Sequence, residues 1–140
     1  MKISSKHAVH EQEVDWKDYS SHYPKSLLEI CRAKVLIGPD GVVKNDEISM
    51  AVMEIDAGCI YPLHSHDAPE AYFVLEGEAI CTWGEDEFRA VPGMAIQTIP
   101  GTPHRIESVG DEKFRALAFW WAPGGNLETL DCNLNLIEDI

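Results

Sequence analysis

The chain has 140 residues, 45% of them hydrophobic, which suffices for one closed core and one domain of ordinary size. Its 24 acidic residues outnumber 11 basic ones, and the net charge of −13 repels nucleic-acid phosphate and the anionic face of a cytoplasmic membrane leaflet alike. No stretch is long and apolar enough to span a bilayer, and Met1 to Val9 is polar rather than a signal segment, so a cytoplasmic protein without nucleic-acid or membrane partners is expected.

Residues 1–30 read as a polar arm, with Tyr19, Tyr23 and Pro24 followed by the apolar Leu27, Leu28 and Ile30, and with room for a short helical turn. The arm carries His7, His10 and His22, isolated histidines that read as solvated. From Ala33 onward, short apolar and β-branched runs are cut by turn signals at Gly38-Pro39-Asp40-Gly41, Gly58, Gly77, Gly84-Glu85-Asp86, Pro92-Gly93, Pro100-Gly101 and Gly110-Asp111. That spacing predicts an all-β sandwich or barrel, placed at residues 31–125. Ile48, Met50 and Val52 alternate with Ser49 and Ala51, while Phe114 to Trp121 is apolar enough to be buried on both faces. Residues 126–140 form an acidic, loosely apolar tail that could lie against the barrel wall or a second subunit. Cys31, Cys59, Cys81 and Cys132 lie far apart without paired spacing and read as reduced, structural residues.

Within this pattern His64 and His66 stand one residue apart, and strand side chains alternate with a period of two, so both imidazoles project from one face. Glu70 follows a short turn through Asp67, Ala68 and Pro69 and enters the next strand, Ala71 to Leu75. The turn Pro100-Gly101-Thr102-Pro103 delivers His104 at the start of another strand. Three nitrogens and one oxygen suit one divalent transition metal, whether iron, manganese, nickel, cobalt or zinc, with positions left open for water or substrate. Tyr72 lies two residues beyond Glu70 and faces the same side. Near a metal its phenol can lose its proton well below the ordinary pKa of about 10 and act as a base; packing is the alternative role. Tyr61 could reach the pocket mouth, and Trp120 or Trp121 lies on a late strand, where aromatic walls would suit an apolar or cationic group.

These residues fall into a known spacing. Gly58, His64, His66, Glu70 and Gly77 resemble the first motif of the cupin superfamily, a coincidence with chance odds on the order of one in ten thousand from this composition. Gly93, Gly101 and His104 resemble the second motif, from which Ile99 and Ser108 depart without touching a ligand. The resemblance implies a single cupin (double-stranded β-helix, jelly-roll) barrel. Small cupins of this kind form homodimers, often by sharing an N-terminal strand, for which the arm and the Val35-Leu36-Ile37 edge are suited.

Around the ligands, the run Tyr61-Pro62-Leu63-His64-Ser65-His66 with Ala68, Glu70, Tyr72 and Leu75 resembles the dimethylsulfoniopropionate lyases. That resemblance implies β-elimination from a small carboxylate substrate bound at the metal, with Tyr72 as the base, acrylate and dimethyl sulfide as products, and Tyr61 and Trp120 caging the sulfonium. The same ligands would also serve an iron dioxygenase, an isomerase or a non-catalytic module that binds a small ligand.

Overall fold

The computed structural model describes residues 5–16, 31–122 and 135–138. His22, the apolar end of the arm, Cys132 and most of the tail lie outside the described residues.

The turn signals separate eleven strands among the described residues: β1 (Cys31–Gly38), β2 (Val43–Lys44), β3 (Ile48–Ile55), β4 (Ile60–Ser65), β5 (Glu70–Glu76), β6 (Glu78–Trp83), β7 (Asp86–Ala90), β8 (Ala95–Thr98), β9 (His104–Val109), β10 (Phe114–Trp121) and β11 (Asn135–Leu136). They form two sheets, ordered β2-β1-β3-β10-β5-β8 and β11-β4-β9-β6-β7. All pairings are antiparallel except the short β1–β2 contact. This is the all-β cupin jelly roll expected from the motifs, with no α-helix among the described residues.

The inner faces close on one core. Register places Ile55 beside Phe114, Met53 beside Ala116, and Ala51 beside Ala118, which in turn adjoins Tyr72. The facing sheet contributes Tyr61, Ala79, Cys81, Trp83, Ala90 and Ile106. Large rings alternate with alanines because the space between the sheets is narrow.

The packing bears out one expectation and corrects another. The alternation on β3 sets Ser49 and Ala51 inward beside Trp120 and Ala118, where small residues fit, while Ile48 and Met50 are only partly buried and Val52 is buried on the other face. Phe114 to Trp121 is not buried on both faces: Phe114, Ala116 and Ala118 are, while Arg115 and Leu117 lie on the partly covered outer face. There Arg115 donates to the carboxylates of Glu54 and Glu11, and Arg32 pairs with Asp56 at 2.7 Å. Residues 5–16 lie on this outer face of their own barrel, with a 3-10 turn at Glu11–Glu13 and Lys34 Nζ 4.7 Å from the Trp16 ring centroid.

Gly77 joins the two sheets between β5 and β6. Its φ of +74° is left-handed, and a β-carbon there would collide with the Lys113 carbonyl. Cys31, Cys59 and Cys81 are free thiols, and burial pushes Cys81 up to about 12. Among the described residues, no helix is long and apolar enough to cross a membrane.

Candidate metal centre

The site lies where β4, β5 and β9 converge. Pro62 offers β4 no N–H, and the ladder to β9 is interrupted between Tyr61 and His64 before resuming at the pair His64–His104. His66 stands one residue past the end of β4, and its carbonyl accepts from Gly101 N at 2.8 Å, so the turn of the second motif is tied to the first. Glu70 opens β5, opposite Trp120 on one side and Thr98 on the other.

All three imidazoles are buried, and each is oriented by a carbonyl two residues away. His64 Nδ1 donates to Pro62 O at 2.7 Å, His66 Nδ1 to Ala68 O at 2.9 Å, and His104 Nδ1 to Thr102 O at 2.8 Å. A carbonyl only accepts, so each Nδ1 must carry a proton and, in the neutral ring, each Nε2 presents a lone pair. One nitrogen from each ring, mutually within 4.8 Å, forms a set able to hold a metal ion.

Glu70 approaches the same point. Its Oε1 lies 3.3 Å from His66 Nε2 and 3.9 Å from His104 Nε2. Glu70 Oε1 and His104 Nε2 are both buried without a hydrogen-bond partner. Acceptors facing acceptors in a dry site need a cation between them, so the residues present fit a divalent metal.

The electrostatics agree. Burial, helped by His104, lowers His64 to about 2, and burial lowers His104 to about 4, so both rings are neutral and available as ligands at pH 7. Burial alone would lower His66 too, but the Glu70 carboxylate 3.3 Å away outweighs it and holds the ring above its ordinary value. Tyr72 is raised well above 10, first by burial and then by the Glu70 carboxylate.

The residues predicted around the ligands occupy different positions. Tyr72 is buried on the inner face of β5. Tyr61 is buried rather than at an exposed mouth, because its ring stacks on His64 with centroids 4.1 Å apart. Trp120 is partly buried against the core on the face shared with Glu70, while Trp121 points the other way and packs on Phe119. His7 and His10 are exposed and far from this set in the chain.

Trp83 escaped the sequence reading. Its ring lies 4.8 Å from that of His104 and edge-on to Tyr72 at 6.0 Å, and its Nε1 donates to the buried Thr98 Oγ1 at 3.1 Å. The available signal was its inward parity on β6, but its meaning depends on the pairing Trp83–His104 across strands distant in sequence.

Imidazoles from two successive motifs, converging inside a double-sheet barrel, define a cupin with a metal-binding set. The chain belongs to the Cupin_2 family of cupin domains, which matches residues 51–120. It is 38% identical over 95 residues to dimethylsulfoniopropionate lyase DddQ of Ruegeria pomeroyi, a match covering 67% of this chain and 45% of that protein. The crystal structure of the R. pomeroyi lyase superposes with a TM-score of 0.73 at 28% identity, over 90% of this chain and 62% of that one. The polyketide cyclase RemF of Streptomyces resistomycificus superposes with a TM-score of 0.70 at 20% identity, over 95% of this chain and 86% of that one, and shares the fold. This chain thus spans about half the length of the curated lyase it matches.

Proposed function

We propose that this protein is a metal-dependent enzyme acting on a small carboxylate, with β-elimination from a sulfonium carboxylate such as dimethylsulfoniopropionate as its reaction. The observation that carries the metal reading is the set of three Nε2 lone pairs, each oriented by its own Nδ1–H, converging with the orphaned Glu70 Oε1. His64, His66, His104 and Glu70 hold the ion. The likeness to a dimethylsulfoniopropionate lyase supports the choice of reaction.

When bound, the metal supplies positive charge that holds the substrate carboxylate and lowers the pKa of a nearby phenol. Tyr72, as its phenolate, takes the proton from the carbon next to the carboxylate. The electron pair of that C–H bond becomes the C=C bond of acrylate, the C–S bond breaks, and dimethyl sulfide leaves with its pair. Trp120 and Tyr61 present aromatic faces that attract the sulfonium. Because burial and Glu70 keep Tyr72 protonated in the metal-free protein, its service as a base depends on the loaded site. The edge of β1, unpaired over residues 31–36 among the described residues, suits a homodimer; light scattering would read the doubled mass.

The test combines elemental analysis with a headspace assay for dimethyl sulfide. Stoichiometric metal, release of the gas, and its loss in Tyr72→Phe with metal content unchanged are expected. Metal without gas would reject the lyase reaction and leave oxygen-dependent or isomerase substrates; retained turnover in Tyr72→Phe would remove Tyr72 as the base.

A further inference from the structure

The strand that carries His64 has an irregular backbone at the residue just before it. Pro62 has no N–H, and the β4–β9 register shifts between Tyr61 and His64, so Leu63 loses its place in that ladder. Its polar groups are taken instead by the C-terminal segment. Leu63 N donates to Glu138 Oε1 at 2.8 Å, and Leu63 O accepts from Ile137 N at 2.8 Å and Glu138 N at 3.3 Å. Leu136 pairs directly with His64.

The same carboxylate oxygen reaches the neighbouring strand, where Arg105 Nε donates to Glu138 Oε1 at 2.9 Å. Leu63 immediately precedes His64, and Arg105 immediately follows His104. A single oxygen therefore ties the backbone of one strand to a side chain of the other, and the imidazoles of these two strands face each other with centroids 4.0 Å apart. Arg105 has a weaker second partner in Glu107 at 4.0 Å, so the fork is held from both sides. The Glu138 side chain is 39% exposed, which distinguishes this clamp from core packing.

We infer that Glu138 is a positioning residue for the metal centre: the C-terminal segment is a strap that sets the spacing of His64 and His104, and its docking is thermodynamically coupled to metal binding. The inference rests on the reading of the imidazole cluster as a metal site. Groups that orient ligands from outside the coordination sphere typically change metal affinity by about 10–100-fold when removed. The exposed clamp belongs at the lower end of that range. Coupling is reciprocal, so metal must tighten strap docking by a factor similar to that by which the strap tightens metal.

Cobalt(II) is the probe, because its visible absorption reports both binding and ligand geometry. It is titrated into chelator-stripped wild type, Glu138→Ala, Glu138→Gln and the control Glu78→Ala, which breaks the exposed pair with Arg89 on β6 and β7. Glu138→Ala should raise the cobalt Kd about tenfold and alter the absorption bands, Glu138→Gln should raise it less because its amide oxygen still accepts from Leu63 N, and Glu78→Ala should match wild type. In the unmodified protein, cobalt should slow amide exchange at Ile137 and Glu138 by a similar factor. Wild-type affinity in Glu138→Ala, or exchange at those amides indifferent to cobalt, would overturn the coupling while leaving the metal centre standing. Failure of the wild type to take up cobalt would overturn the metal centre and the coupling together.

Discussion

Metal-free protein should lose stability on mild acidification, and His104 carries a measurable share of the loss. Its imidazole is fully buried, and burial lowers its pKa from 6.5 to about 4. Between those two values the unfolded chain holds one proton more than the folded one at this residue. The contribution of the neutral ring is therefore complete above pH 6.5 and drains at about 1.4 kcal/mol per pH unit as the pH falls, to a total on the order of 3 kcal/mol at the folded pKa. His64 acts in the same direction over a window that ends near 2. His66 opposes both, because a raised folded pKa gives stability that is present in acid and lost as the pH rises through it. Relief of the net charge of −13 also favours the folded state in acid, so a single curve mixes several signs. Urea unfolding of chelator-stripped wild type and His104→Gln, from pH 7.5 to 5, isolates one residue. Below pH 6.5 the wild-type stability should fall more steeply than that of the variant by about 1.4 kcal/mol per pH unit. Parallel curves would refute the assignment of His104 as a buried neutral imidazole.

Three further outcomes follow from the same contacts. Glu70 raises the affinity of His66 for a proton, which competes with metal there, so cobalt affinity measured from pH 8 to 6 should begin to fall above the ordinary histidine pKa of about 6.5, and Glu70→Gln should move that onset down. Thr98→Val keeps the volume but strands the buried Trp83 Nε1–H, at a cost of about 1–3 kcal/mol in urea unfolding; an unchanged midpoint would mean that the indole finds another acceptor. Gly77→Ala should lose at least about 1–2 kcal/mol for its left-handed φ, before the collision with the Lys113 carbonyl is counted, as a lower thermal midpoint would show.

The ligand cluster was legible in the sequence because its geometry is local. Period-two alternation set His64 and His66 on one side, and short turns delivered Glu70 and His104 at strand starts, as β5 and β9 begin. What stayed hidden depends on which strands become neighbours. Trp83 meets His104 only through the β6–β9 pairing, and Glu138 meets Leu63 only because the tail supplies what Pro62 withholds. The inward face of β3 was also hidden, since Ile48, Met50 and Val52 are the more apolar set and only the width of the interior favours Ser49 and Ala51. The stacking of Tyr61 on His64 was hidden as well, because it depends on the register shift that follows Tyr61 in the β4–β9 ladder.

The three Nδ1 hydrogen bonds also bear on how such a site changes over evolution. Each imidazole takes its bearing from a carbonyl two residues away on its own segment, not from a distant side chain. Of the rings near the cluster, Tyr61 shares β4 with His64, whereas Trp83 and Trp120 arrive on β6 and β10. The aim of the ligands and these two walls are thus encoded in separate stretches of chain. Mutations can remodel those walls while the three imidazoles keep their orientation, so such a barrel can change what its interior accommodates without first dismantling the imidazole cluster.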